Sequence, residues 1–475
     1  MSDNSIHRNF PQSKVKALCL LLLQLLLFVG CTSPNKLPNF LIILIDDLGS
    51  QDVGCYGQEF IQTTNMDLLA NEGMRWENAY SACPVCSPSR AALLTGKSTA
   101  RVHFTGHITA IGQHRHPENS RILPPEDLMY LPHKEVLISE ALKPLGYKSI
   151  SIGKWHVGHE GYYPTDQGFD ENIGGWTHGS PPSHFYPYRR KSDWNPSIPT
   201  LSGGSDGEYL TDRLTDEAIR FLENNTNNPF LLYLSHYAVH TPLEAPEMLV
   251  EKYKKILQGT GIDPVYAAMV ESVDNNIEKI LTKLDELALK ENTVVILTSD
   301  NGAVEHTSDN SPFRRGKGHL YEGGIRIPLI IRWPEHIRGG SVSLNPTISQ
   351  DIYSTIIEIV KKGALMTNQL DGRSLMKDFA ETGTIDHDLF WYYPHYSPQA
   401  KMPGVAIRSG NYKLIRFYDP PTVELYNLKN DIGETTNLAK SDPKKVKQLS
   451  TKIDQWLNDS GTILHQSNPN HSTEK

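Results

Sequence analysis

Short stretches scattered along the chain carry side chains that could do chemistry. In Cys86-Ser87-Pro88-Ser89-Arg90 a thiol precedes a Ser-Pro pair and then the apolar run Ala91 to Leu94, closed by Thr95-Gly96. The Ser-Pro pair suits an N-cap and first helical position. A helix should therefore begin near Ser87, leaving Cys86 at the positive end of its dipole, where an anion would be bound. Asp46-Asp47 and Asp300-Asn301 each follow a run of apolar residues. Adjacent carboxylates repel one another unless a cation is present, and hard oxygen donors favour Ca²⁺ or Mg²⁺. Together the two turns offer oxygen donors to one such ion. Lys154 and His156 stand on alternate positions in Gly153-Lys154-Trp155-His156-Val157-Gly158 and point the same way at a strand end. His240 precedes Thr241-Pro242, and the glycine-rich run from Phe313 to Pro328 carries Arg314, Arg315 and Lys317. Glycines permit close backbone approach and a lysine supplies a point charge, which together suit an anion.

The elements that must position these residues are legible. Asn39 to Ile45 reads as a fully buried strand of a parallel sheet, as do Pro229 to Ser235 and Asn292 to Ser299, and Lys148 to Ile152 is a further strand. Open α/β sheets place their sites beyond the carboxyl ends of such strands, where both acidic turns, Lys154, His156 and His240 fall. His236 reads as structural. Helical spacing predicts helices over Thr64 to Met74, Val136 to Leu145, Leu210 to Asn224, Pro264 to Leu289 and Asp351 to Lys361, with a strand from Leu329 to Trp333. Trp176 to Ser205, rich in glycine, proline and aromatics, reads as a long surface loop. From about Ala364 the texture changes. Val405 to Arg416 is a hairpin signal, Glu424 to Leu428 a strand and Pro443 to Asn458 a closing helix, with a disordered tail expected after Leu464.

The chain has 475 residues, 38% hydrophobic and 21% charged, enough for a large core and two packed subdomains. A net charge of -8 argues against nucleic acid and requires that any anionic substrate be held by a local basic pocket. Arg8, Lys14 and Lys16 precede an apolar run from Ala17 to Val29, which is too short to span a bilayer comfortably and fits a signal-peptide core. Phe28-Val29-Gly30-Cys31 resembles a bacterial lipobox, with cleavage before Cys31 and lipidation of its thiol. Ordinary signal cleavage and a retained anchor are the alternatives. In each case the body is exported, with attachment to the outer membrane or cell surface expected and a periplasmic or secreted location as the alternative. Of five cysteines, Cys55 and Cys83 are left as either a bridge or two separate buried thiols.

The Cys-x-Pro-x-Arg pattern, Gly-Lys-Trp-His-x-Gly, the two acidic turns and the basic glycine-rich run occur in one order, and in that order they resemble the type I, formylglycine-dependent, arylsulfatase-like sulfatases, of which the bacterial polysaccharide sulfatases are the expected kind. The resemblance runs from about Pro38 to Leu438. It implies an alkaline phosphatase-like α/β/α sandwich with a small C-terminal antiparallel-sheet subdomain. The expected divisions are a signal peptide over 1–30, a linker over 31–38, a catalytic domain over 39–363, the subdomain over 364–464 and a tail over 465–475. It also implies that Cys86 is oxidised by a maturation enzyme to formylglycine (3-oxoalanine), the nucleophile. Asp46, Asp47, Asp300 and Asn301 would bind Ca²⁺ together with the modified Cys86, Mg²⁺ being the less favoured ion. Arg90 and Lys154 would steady the formylglycine hydrate, His156 would be its base, Lys317 would bind sulfate and His240 would act near the leaving oxygen.

Some members of that family have a serine where Trp176-Thr177-His178 falls, so His178 is expected to contact substrate. His395 is expected to join it in a polar, sugar-sized pocket, and Arg314 or Arg315 to read a further anionic group. The substrate class that fits is a sulfated polysaccharide or oligosaccharide, such as an algal galactan, ulvan, fucoidan or glycosaminoglycan. A phosphate or phosphonate ester hydrolase of the same fold and an inactive, glycan-binding surface lipoprotein are the competing readings.

Overall fold

In the computed structural model, which describes residues 36–109, 116–190, 197–360, 369–381, 383 and 385–472, the apolar runs become one mixed sheet. Its strands are β1 (Asn39–Ile45), β2 (Met74–Trp76), β3 (Lys148–Gly153), β4 (Glu171–Ile173), β5 (Phe230–Ser235), β6 (Thr293–Ser299), β7 (Leu329–Arg332) and β8 (Ser341–Ser343). They lie in the order β8-β2-β7-β6-β1-β5-β3-β4. The run β6-β1-β5-β3-β4 is parallel throughout, and β7 is antiparallel to β6. β1 is buried along its whole length because both of its faces are covered. Leu41, Ile43 and Ile45 join a core shared with α1 (Thr64–Glu72), α3 (Leu210–Asn224) and α4 (Pro264–Glu286), while Phe40, Ile42 and Leu44 are buried on the opposite face. On that architecture α2 (Cys86–Thr95) packs against α5 (Gln350–Val360). Gly96 ends α2 with φ 70°, and a Cβ there would fall 2.7 Å from the Tyr353 ring of α5.

The C-terminal strands β9 (Leu389–Tyr393), β10 (Gly404–Ser409), β11 (Tyr412–Tyr418) and β12 (Pro421–Asn427) form a four-stranded antiparallel sheet. Alternation divides its side chains. Val405, Ile407, Leu414 and Leu425 pack against Leu449, Ile453 and Leu457 of α6 (Pro443–Asp459), and Ala406, Ile415 and Tyr426 pack against Tyr80, Ala92 and Leu320. The architecture is the α/β sandwich with a small antiparallel sheet that the sequence implied, and Pro38–Lys475 form one compact unit.

Two local expectations are corrected, and the alternative left open at Cys55 and Cys83 is decided. The helix read over Val136 to Leu145 is α-helical for Ile138–Leu142 and continues as a 3₁₀ turn over Lys143–Leu145, since Pro144 has no N–H to give. The chain after Leu464 is not a loose tail through 472: Gln466–Ser467 pair with Ile122–Leu123, and Asn468 Nδ2 donates to the Ser120 carbonyl at 2.7 Å. Cys55 and Cys83 are free thiols, the second buried. The signal segment, Cys31 and the boundary at 363–364 lie outside the described residues, among which no helix is long and apolar enough to cross a membrane.

Candidate active site

Because β3, β5, β1 and β6 are adjacent and parallel, their carboxyl ends open on the same edge of the sheet. β1 delivers Asp46 and Asp47 there, β6 delivers Asp300 and Asn301, and the turns after β3 and β5 deliver Lys154, His156 and His240. α2 begins at Cys86 itself, one residue before the expected start, and all of its residues are buried. The Cys86 Sγ lies 3.6 Å from Asp46 Oδ1 and 4.0 Å from Asp47 Oδ1.

Basic side chains neutralise the carboxylates pairwise. Lys154 Nζ is 2.6 Å from Asp46 Oδ2, Lys317 Nζ is 2.6 and 2.8 Å from the two Asp47 oxygens, and Arg90 Nε and Nη2 reach Asp300 Oδ2 at 2.8 and 2.7 Å. Lys317 Nζ is also 3.3 Å from Cys86 Sγ. Burial opposes the charge on Asp47 and Asp300, yet Lys317 beside the first and Arg90 beside the second hold both below the usual carboxylate range. Asp46 is different. Burial outweighs Lys154 and, with Asp300 and Asp47 nearby, pushes it up to about 8.

His156 Nε2 lies 3.0 Å from the Ile108 carbonyl, which assigns the proton to that nitrogen and leaves Nδ1, buried and without a partner among the described residues, as the lone-pair face. Burial, with Lys154 close by, holds the ring well below 6.5. His240 Nδ1 lies 2.9 Å from the Thr241 carbonyl, and its Nε2 is 3.7 Å from Asp47 Oδ2. Burial and Lys317 lower it to about 3. Lys154 and His156 do not converge by strand alternation as expected: β3 ends at Gly153, and His156 turns into the site through a left-handed backbone with φ 59°. Above these groups opens a cleft of about 940 Å³ lined by Cys86, His156, His178, His240, Lys317 and Lys401 among others.

A sulfatase family model matches residues 38–362, and a model for the C-terminal part of N-sulphoglucosamine sulphohydrolase matches residues 315–461. The chain belongs to the sulfatase family. Human N-acetylgalactosamine-6-sulfatase is 35% identical to it over 386 residues, covering 77% of this chain and 70% of the relative. A sulfatase of Formosa agariphila is 29% identical over 496 residues, covering 89% of each. Among solved structures, Ps i-CgsB in complex with k-i-k-neocarrahexaose superposes with a TM-score of 0.77 at 27% identity, covering 90% of this chain and 94% of that one. Its relatives are sulfuric ester hydrolases, and this sulfatase is an enzyme of that class.

The donor set of this sulfatase fits a hard cation. Asp46, Asp47, Cys86 and His240 each bring one ligand atom within 4.8 Å of the others. Asn301 Oδ1 is buried with no hydrogen-bond partner among the described residues, while its Nδ2 donates to Asp47 Oδ1 at 2.7 Å. Crowded carboxylates, with Asp46 pushed up by burial in spite of Lys154, and an orphaned amide oxygen on the residue that bonds Asp47 are what a divalent ion satisfies.

Three expected substrate contacts lie elsewhere. His395 is fully buried behind the cleft, 2.8 Å from Thr105 Oγ1 and 3.3 Å from Asp127 Oδ1. Arg314 stacks on Tyr321 and donates to Tyr426 Oη and the Glu434 carbonyl. Arg315 turns outward to Glu305 at 3.5 Å. Each has a protein partner that draws it from the cleft, whereas His178 does line it, its ring 4.3 Å from that of Trp176. Residues that escaped the sequence reading include Ser235, whose Oγ accepts from Arg90 Nη1, and Ser87, whose Oγ accepts from the Ile108 N–H at 3.0 Å. Neither has a signal beyond its place beside a motif.

Proposed function

We propose that this sulfatase removes sulfate ester groups from sulfated carbohydrate, after a maturation enzyme has oxidised Cys86 to formylglycine. The observation that carries the reading is that Cys86, His156, His240 and Lys317 line one cleft while Arg90, Lys154 and Lys317 hold the carboxylates of Asp300, Asp46 and Asp47 beneath it, with Asn301 bonded to Asp47. The sugar named for the human relative and the oligosaccharide bound by the structural neighbour support carbohydrate as the carrier of the ester.

Burial lifts the Cys86 thiol to about 12 in spite of Lys154 and Lys317, so the unmodified side chain is protonated and a poor nucleophile at neutral pH. Formylglycine would supply a hydroxyl nucleophile in its place, and Ca²⁺ held by Asp46, Asp47, Asp300 and Asn301 would supply positive charge for the sulfate oxygens. Lys317, against the Cys86 sulfur, is placed to hold the sulfate. Arg90 and Lys154 fix the carboxylates around it. His156, neutral with its Nδ1 lone pair available, takes a proton as base. His240 faces the cleft with Nε2 and is placed to give a proton to the leaving oxygen, a step worth about 10²–10⁴-fold. The negative charge of a bound ester favours the imidazolium that burial and Lys317 otherwise oppose.

Export and attachment through a lipidated Cys31 belong to the same proposal, supported by the apolar run from Ala17 to Val29 and the residues Phe28-Val29-Gly30-Cys31. Mass spectrometry of the tryptic peptide Trp76 to Arg90, from protein made in its native host, tests the nucleophile. One alkylated cysteine, at Cys83, with an aldehyde at Cys86 is expected, and two alkylated thiols throughout would sink turnover by this route. Chelation should abolish sulfate release from sulfated oligosaccharide, and added Ca²⁺ should restore it. Faster hydrolysis of the phosphate analogue would favour the phosphate ester hydrolase instead.

A further inference from the structure

The cleft is larger than a single sulfate or sugar requires. Its volume of about 940 Å³ is at the upper end of the range for ligands of several rings. Its charge is as unusual as its size. In a chain of net charge -8, the described lining holds Lys317, Lys401 and the histidines His107, His116, His156, His178 and His240, but no aspartate or glutamate. Lys317 is engaged with Asp47 at the base. Lys401 is exposed in the lining and, among the described residues, meets no carboxylate and makes no hydrogen bond.

The segment that carries Lys401 is braced. Ser397 N–H donates to the Ala400 carbonyl at 2.8 Å, and Ala400 N–H donates to Ser397 Oγ at 2.8 Å. Tyr396 Oη donates to Asp419 Oδ2 at 2.7 Å. His395, one residue before, is fixed between Thr105 and Asp127. The segment also stands directly against the residue that follows Lys317: a Cβ on Gly318 would fall 2.9 Å from Ser397 Oγ and 3.0 Å from Gln399 Cβ. This segment thus forms one wall of the cleft that holds Lys317, and the exposed Lys401 is part of that wall.

We propose that Lys401 forms a second anion subsite, reading a sulfate ester or carboxylate on the sugar next to the one that is desulfated. The proposal rests on the carbohydrate sulfatase reading above and names a feature of its substrate, a second negative charge one sugar away. Among the described residues the cation has no partner to give up and the lining has no acidic side chain to repel the ligand, so the contact favours binding without first breaking an ion pair.

The test compares wild type, Lys401→Ala, Lys401→Arg and Lys401→Glu, each with Cys86 matured. The substrates are a disaccharide with one sulfate, its counterpart with a second sulfate on the adjacent sugar, and its counterpart with a carboxylate there. Wild type should prefer the doubly charged substrates in kcat/KM. Lys401→Ala should lower that preference about three- to tenfold, mainly through KM, as for an ion pair at a partly exposed site. Lys401→Arg should keep it and Lys401→Glu should reverse it. Added salt should narrow the preference in wild type and leave Lys401→Ala almost unmoved. The better of the two doubly charged substrates identifies the anion. No preference in wild type, or the same preference in Lys401→Ala and Lys401→Glu, overturns the subsite while sulfate release itself stands. A matured wild type that releases no sulfate from any of the three overturns the carbohydrate reading, and the subsite with it.

Discussion

Asp47 and His156 both hold left-handed backbone conformations, with φ of 63° and 59°; His156 lines the cleft, and Asp47 is held by Lys317, which lines it too. Such conformations are uncommon for residues with a Cβ and persist where surrounding contacts fix them. Around Asp47 those contacts are Lys317, Asn301 and the bond from its own N–H to Asp300 Oδ1 at 3.2 Å. Around His156 the decisive neighbour is Gly179. A Cβ there would fall 2.3 Å from the imidazole Cε1. Gly179→Ala should therefore push the ring off its bond to the Ile108 carbonyl, lowering kcat by about tenfold to a hundredfold, the scale expected for a misplaced reacting group. Thermal melting should change little, because the displaced ring faces the cleft. Unchanged kcat with normal melting would show that the ring position is not set by this contact.

At the scale of elements, the start of α2 does more than expose Cys86. Its second residue, Ser87, accepts from the Ile108 N–H at 3.0 Å, and the carbonyl of the same Ile108 accepts from His156 Nε2 at 3.0 Å. One hydroxyl on the helix of Cys86 thus anchors the residue whose carbonyl fixes the tautomer and aim of His156. Ser87→Ala should cost about 1 kcal/mol of stability for the lost buried hydrogen bond. It should also reduce kcat by roughly tenfold through a freed imidazole. Denaturant unfolding and steady-state kinetics separate the two effects, and a stability loss with unchanged kcat would reduce Ser87 to a packing role. The placement of this helix depends in turn on α5, which closes on Gly96 at the far end of α2.

At the scale of the whole molecule, buried ionisable groups tie the layers together. Lys413 of β11, fully buried, lies 2.9 Å from Glu322 and 2.9 Å from Glu434, so the C-terminal sheet is joined by charge to the run that carries Lys317. His236 is buried after β5 with neither ring nitrogen hydrogen-bonded among the described residues, and burial lowers its pKa to about 4. An unfolded histidine titrates near 6.5. Between these values the unfolded chain takes up a proton that the native ring refuses, so stability falls as pH drops from about 6.5 to about 4. His236→Leu should flatten this acid limb by about one proton, or about 1.4 kcal/mol per pH unit. Denaturant unfolding at several pH values measures it, and an unchanged slope would mean that His236 is not a source of the acid sensitivity. The sequence by itself determined the strands, the two acidic turns, the Cys86 helix and the family, because burial on both faces of a strand, a Ser-Pro helix start and motif spacing are local properties of the chain. It could not decide which side chains share a cleft. His395, Arg314 and Arg315 carry suitable chemistry, yet Asp127, Tyr321 and Glu305 claim them, and those partners are 268, 7 and 10 positions away by numbering with no pattern to announce them. Only the tertiary structure set Lys401 in the same cleft as Lys317, because the segment before it, from Ser397 to Ala400, packs against Gly318, a contact between parts of the chain that no local spacing encodes.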